Sequence, residues 1–149
     1  EKDGAEKRFT AFSRGATANH PNWNTVTCSQ PGLADLLGQH GLTVLIAPHH
    51  GLESCYSPEL YAAIAGGKPR LVVLSERRKA HEGDGQTDAR YQSEAGASGL
   101  TVEVEGKSEA RCSCSTKEGH HILIVFHGGA QPQVHANRDP QQLLRVIAP

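Results

Sequence analysis

Two short, continuous apolar runs constrain this chain more than anything else in it. Residues 42–47 read Leu-Thr-Val-Leu-Ile-Ala and residues 70–75 read Arg-Leu-Val-Val-Leu-Ser. Neither alternates between apolar and polar, so each predicts a strand buried on both faces, as in a parallel sheet covered by helices. Between them, Ser57-Pro58-Glu59 supplies a helix N-cap, a first-turn proline and a first-turn acid. The helix so begun carries Leu60, Tyr61 and Ile64 and stops at Gly66-Gly67. Strand, helix and strand make a βαβ unit, with parallel strands and a right-handed crossover.

The flanking segments extend this unit. Residues 1–22 are polar and irregular apart from a strand-like stretch over 8–12, and residues 23–28 are β-branched and extended. Pro31 opens a helical periodicity at Leu33, Leu36 and Leu37 that Gly38 or Gly41 would end. Residues 76–88 form a charged, glycine-bearing surface loop, long enough to carry function. A short polar helix over 89–95 follows. Residues 100–104 and 109–115 then alternate, and 121–126 are apolar. Residues 116–120 read as a hairpin turn joining the last two strands, with Gly119 at the positive-φ position. Asp139-Pro140 starts a final helix bearing Leu143, Leu144, Val146 and Ile147. No repeat or linker divides the chain, so residues 1–149 are expected to form a single domain unit with one α/β layer.

Composition narrows the function classes. The 149 residues carry a formal charge of −1, with 37% apolar and 21% charged residues. No positive field covers the molecule, which argues against a dedicated nucleic-acid-binding module but not against an enzyme acting on phosphodiesters. No apolar run is long enough to span a bilayer, so no membrane partner is expected. Methionine is absent, even at position 1, which suggests a piece of a longer protein. Cys28, Cys55, Cys112 and Cys114 form no C-x-x-C framework, and reduced thiols in the cytoplasm fit them best. On a strand, Cys112 and Cys114 would share a face. That pair reads either as a thiolate site or, with the greater weight, as two small strand residues.

The chemistry-bearing segment is Pro48-His49-His50-Gly51, directly after the first buried strand. Ligands bind open α/β sheets at such strand ends. Imidazoles there suit zinc or general-base work; taken alone, they also read as ordinary loop histidines. The wider pattern resembles the C-terminal part of ComEC-like metallo-β-lactamase-fold hydrolases. The residues that carry the likeness are Leu-Ile-Ala-Pro-His-His-Gly, Glu53-Ser54, Ser57-Pro58-Glu59-Leu60, Lys68-Pro69, residues 71–75, Asp88-Ala-Arg90-Tyr91-Gln-Ser93 and Ser115-Thr-Lys-Glu-Gly119.

The resemblance implies the C-terminal half of an αββα sandwich and a two-metal site, zinc or alternatively manganese. His50 would be a direct ligand, and His49 a second or supporting one. Arg90, Tyr91, His81 and Ser54 are the candidates to face the substrate, though Asp88 could instead cap the short helix and hold Arg90 in a structural pair. The family's His-x-His-x-Asp-His element is absent, so the N-terminal half of the domain, or a companion chain, is the implied partner. Thr27 stands where the family places a metal-binding Asp, and Cys28 beside it is a possible replacement ligand. The implied function is metal-dependent hydrolysis, with DNA or RNA phosphodiesters as substrate. The alternative is a non-catalytic interaction module with a degenerate site.

Overall fold

The computed structural model describes residues 32–76, 86–128 and 130–148. The first helix, α1, spans Leu33–His40; its register buries Leu37, and the amide of Gly41 closes its end on Leu37. Strand β1 follows at Val44–Ile46. After two 3-10 turns, helix α2 covers Pro58–Ala63, and Ser57 Oγ accepts the Leu60 amide as its cap. Strand β2 is Leu71–Leu74, buried along its whole length. It pairs parallel with β1, Leu45 opposite Val72. The expected βαβ unit is therefore present.

The second half departs from the expected single layer. Strands β3 (Leu100–Val104) and β4 (Lys107–Arg111) form an antiparallel hairpin across Glu105-Gly106. After Cys112 the chain leaves that hairpin. Strand β5 (Ser113–Ser115) joins the other side of β2, in parallel. Residues 109–115 are thus two strands in two sheets. Segment 116–120 is consequently not a hairpin turn but a passage between sheets. It forms a 3-10 turn with Gly119 at φ 85°, the backbone sign that its sequence predicts. Strand β6 (His121–Val125) then pairs antiparallel with β7 (Gln133–Asn137), a strand the sequence pattern does not reveal. Helix α3 (Pro140–Ile147) closes the described chain, capped by Asp139 on the Gln141 amide.

The strand orders are β1-β2-β5 and β4-β3-β7-β6. Alternation along the parallel strands separates two cores. Leu45, Val72 and Leu74 meet Leu37, Leu60 and Ile64 from the helices. Val44, Leu71, Val73 and Cys114 face the other way and meet Val102, Val104, Val134 and Ala136 of the second sheet. Helix α3 lies against β6 and β7. The molecule is a mixed α/β fold, layered helix, sheet, sheet, helix. The sheet switch also separates the two cysteines. Cys114 packs between the sheets and Cys112 packs on the helical side, so they do not share a strand face.

Candidate metal centre

The carboxyl ends of β1, β2 and β5 open on one side, and the histidine turn begins there. Ala47 donates its amide to Val73 O at 2.9 Å, which keeps the chain on the sheet up to the buried Pro48. The next three residues are all left-handed: His49 at φ 46°, His50 at φ 63° and Gly51 at φ 80°. For a non-glycine residue this conformation costs about 1–3 kcal/mol, so it persists only where its surroundings impose it.

Those surroundings are visible. A Cβ on Gly51 would lie 2.6 Å from Leu74 Cδ2, 3.2 Å from Thr87 Cγ2 and 3.3 Å from Tyr91 Cδ2. The turn is therefore wedged between the end of β2 and segment 87–91. Asp88 N donates to Gly51 O at 2.8 Å, and Leu52 bridges Thr87. His50 Nδ1 donates to Ser75 O, the carbonyl just beyond β2. A carbonyl can only accept, so a neutral His50 ring has its proton on Nδ1 and its lone pair on Nε2. Both imidazoles are exposed, with ring centroids 5.7 Å apart.

A ring held by a carbonyl at one nitrogen, with the other nitrogen left as a donor, is how metal-ligating histidines are usually oriented. His50 thus fits a metal as one ligand. A catalytic zinc takes roughly three protein ligands, and among the described residues no group of three or more His, Cys, Asp or Glu side chains is placed to hold an ion. Cys28 and His81 lie outside the described residues. Ser54 sits on the 3-10 turn Glu53–Cys55, directly after the histidine turn.

Arg90 and Tyr91 both make contacts within the fold, the Arg90 ones being those of the structural pairing with Asp88 that the sequence allows. The Tyr91 ring is 1% exposed, and its hydroxyl donates to Cys55 O at 3.0 Å. Burial raises its pKa above the ordinary tyrosine range. Asp88 caps the short turn Ala89–Gln92 by accepting the Arg90 amide at 2.8 Å. The same carboxylate takes the Arg90 guanidinium from two nitrogens, while that guanidinium lies 3.8 Å over the Tyr56 ring. The Arg90 hydrogen bonds hold the Asp88 carboxyl below the usual carboxylate range.

His120, in the segment that the sequence reads as a hairpin turn, is 7% exposed, with Nε2 and Nδ1 each 3.6 Å from a carboxylate, Glu105 and Glu118 respectively. It packs at the passage between the sheets, where its neighbours cover it.

One residue of this region carries no local sequence signal. Glu76, read as the start of a solvated loop, lies directly beside the carbonyl that holds His50. Its carboxylate accepts from Thr87 Oγ1 at 2.5 Å and from Ser115 Oγ. Its amide donates to Thr116 Oγ1 at 2.8 Å. Three hydroxyls converge on it from segments up to 40 residues away, a long-range arrangement with no local sequence signal. The chain matches no family model, no curated protein and no solved structure.

Proposed function

We propose that this chain carries part of the site of a metal-dependent hydrolase of the metallo-β-lactamase fold, acting on phosphodiesters. The reading is carried by the histidine turn. Two adjacent left-handed histidines at the carboxyl end of a parallel sheet, one with Nδ1 on a carbonyl, present Nε2 as a donor. The helix-sheet-sheet-helix layering agrees with it. A bound zinc or manganese would lower the pKa of its water toward neutrality and so supply the attacking hydroxide. In this chain His50 would hold the ion and Ser75 O would orient the ring. His49 lies beside it as a further imidazole. The remaining ligands would come from residues outside the described ones, contributed by the N-terminal half of the domain or by a companion chain.

A second reading has an observation of its own. Both carboxylate oxygens of Glu76, which lies just beyond the end of β2, are taken by hydroxyls, as in a domain that keeps the fold as an interaction module. Turnover separates the two. The chain together with the proposed N-terminal half or companion chain is assayed for zinc- or manganese-dependent cleavage of bis(p-nitrophenyl) phosphate, with this chain native and as His50→Ala. The hydrolase reading predicts cleavage that falls at least about a hundredfold on substitution, since a lost ligand empties the site. Metal-independent or absent cleavage in both would favour the module.

A further inference from the structure

We infer that Glu76 is the positioning residue of the histidine turn, acting through its main chain on the His50 ring and through its carboxylate on the turn's backbone. The inference deepens the metal-site reading and rests on it for the purpose the positioning serves.

The peptide joining Ser75 to Glu76 is held at both ends. Its N–H is donated to Thr116 Oγ1 at 2.8 Å, and its C=O accepts His50 Nδ1. The Thr116 hydroxyl in turn donates to Glu76 O at 2.7 Å, so it clasps Glu76 on both sides. Hydrogen bonds at the two ends of one peptide polarise each other. A single carbonyl thus selects the His50 tautomer, and β5's end fixes where that carbonyl points.

The carboxylate does the second part. Thr87 has one hydroxyl proton and two acceptors in range, Glu76 Oε1 at 2.5 Å and His50 O at 3.5 Å. The shorter contact takes the proton. That sets Thr87, whose methyl lies against Gly51 and whose backbone bridges Leu52. Ser115 holds the other carboxylate oxygen to the end of β5. Without Glu76's side chain, Thr87 would be released to turn toward His50 O, and the left-handed histidines would lose the wall that imposes them. A simple strand lock would need only the clasp between β2 and β5. The Thr87 contact reaches across to the histidine turn, which such a lock does not require.

The test reads the His50 tautomer by long-range proton–nitrogen NMR of the metal-free protein, this chain together with the proposed N-terminal half or companion chain, with zinc affinity measured alongside. The native ring is expected to be mostly Nδ1-protonated. In Glu76→Ala and Thr116→Val that form should fall severalfold, with unchanged His120 and His135 signals reporting an intact fold. Zinc affinity should fall roughly 10- to 100-fold, the usual loss when a ligand's orienting partner is removed. Glu76→Gln and Thr116→Ser keep an acceptor and a hydroxyl, and should restore the native tautomer. If Glu76→Ala does not fold, the Thr116→Val and Thr116→Ser pair decides. A His50 tautomer unmoved in both Glu76→Ala and Thr116→Val, with melting temperature alone lowered, would overturn the inference. A tautomer that moves in an assembly that takes up no zinc even with the N-terminal half or companion chain present sustains the positioning role and overturns the metal-site reading instead.

Discussion

Single atoms govern the histidine turn. At Gly51 any side chain meets two obstacles, a φ of 80° and a Leu74 methyl 2.6 Å from the added Cβ. Gly51→Ala should therefore lower stability by about 2–4 kcal/mol, as strain and overpacking combine. Chemical denaturation would show this as a lower midpoint with an unchanged slope; an unchanged midpoint would mean the turn is not held as described. The Asp88–Arg90 pair gives a pH prediction. The folded carboxyl titrates below its ordinary range because Arg90 hydrogen-bonds its charged form. A depressed folded pKa contributes stability above the unfolded pKa and loses it as acid protonates the folded group. The native chain should thus lose stability as pH falls from about 4. Asp88→Asn should show a shallower acid slope, read from melts between pH 2 and 6 (about the carboxylate range).

The elements show which sequence signals can be read locally. Residues 42–47 and 70–75 announce β1 and β2 because a parallel strand covered on both faces is apolar throughout. The caps at Ser57 and Asp139 are equally legible, since a hydroxyl or carboxylate before a first-turn proline satisfies orphan amides wherever the chain lies. The sheet switch at Cys112 was not legible. An alternating run from 109 to 115 looks the same whether it pairs once or changes partners, and pairing is decided by distant residues. Strand β7 has no clear sequence signal because only Val134 and Ala136 are buried along it, a weak alternation. In the site, the His-His-Gly element was visible as residue types at a strand end. The converging hydroxyls around Glu76 were not, being separated by up to 40 positions. The switch carries its own prediction. Burial between the sheets pushes the Cys114 thiol up to about 11, which suppresses the reactive thiolate. In the native chain at pH 8 (about the range of an ordinary thiol) Cys114 should resist a thiol reagent, then react once denaturant is added. Rapid labelling of the folded chain would contradict the buried β5.

Across the whole molecule, stability is divided between two apolar layers that share the parallel sheet, and α3 sits outside both. It buries Leu143 and leaves Leu144, Val146 and Ile147 exposed. Leu143→Ala should cost about 2–3 kcal/mol and Leu144→Ala within about 0.5 kcal/mol; equal losses on denaturation would place α3 differently. Among the described residues no helix is long and apolar enough to cross a membrane. The shared sheet joins the scales. Its two buried faces hold β1 and β2 rigid, its carboxyl end presents His50, and the ends of β2 and β5 supply the groups that orient the ring. Retained zinc tests this most directly. The chain together with the N-terminal half or companion chain proposed above, native and as His50→Ala, is dialysed after zinc loading, checked for an unchanged circular dichroism spectrum, and assayed for bound metal. Stoichiometric zinc in the native protein, lost on substitution, is the expected result. Zinc held equally by both, or by neither, would contradict it.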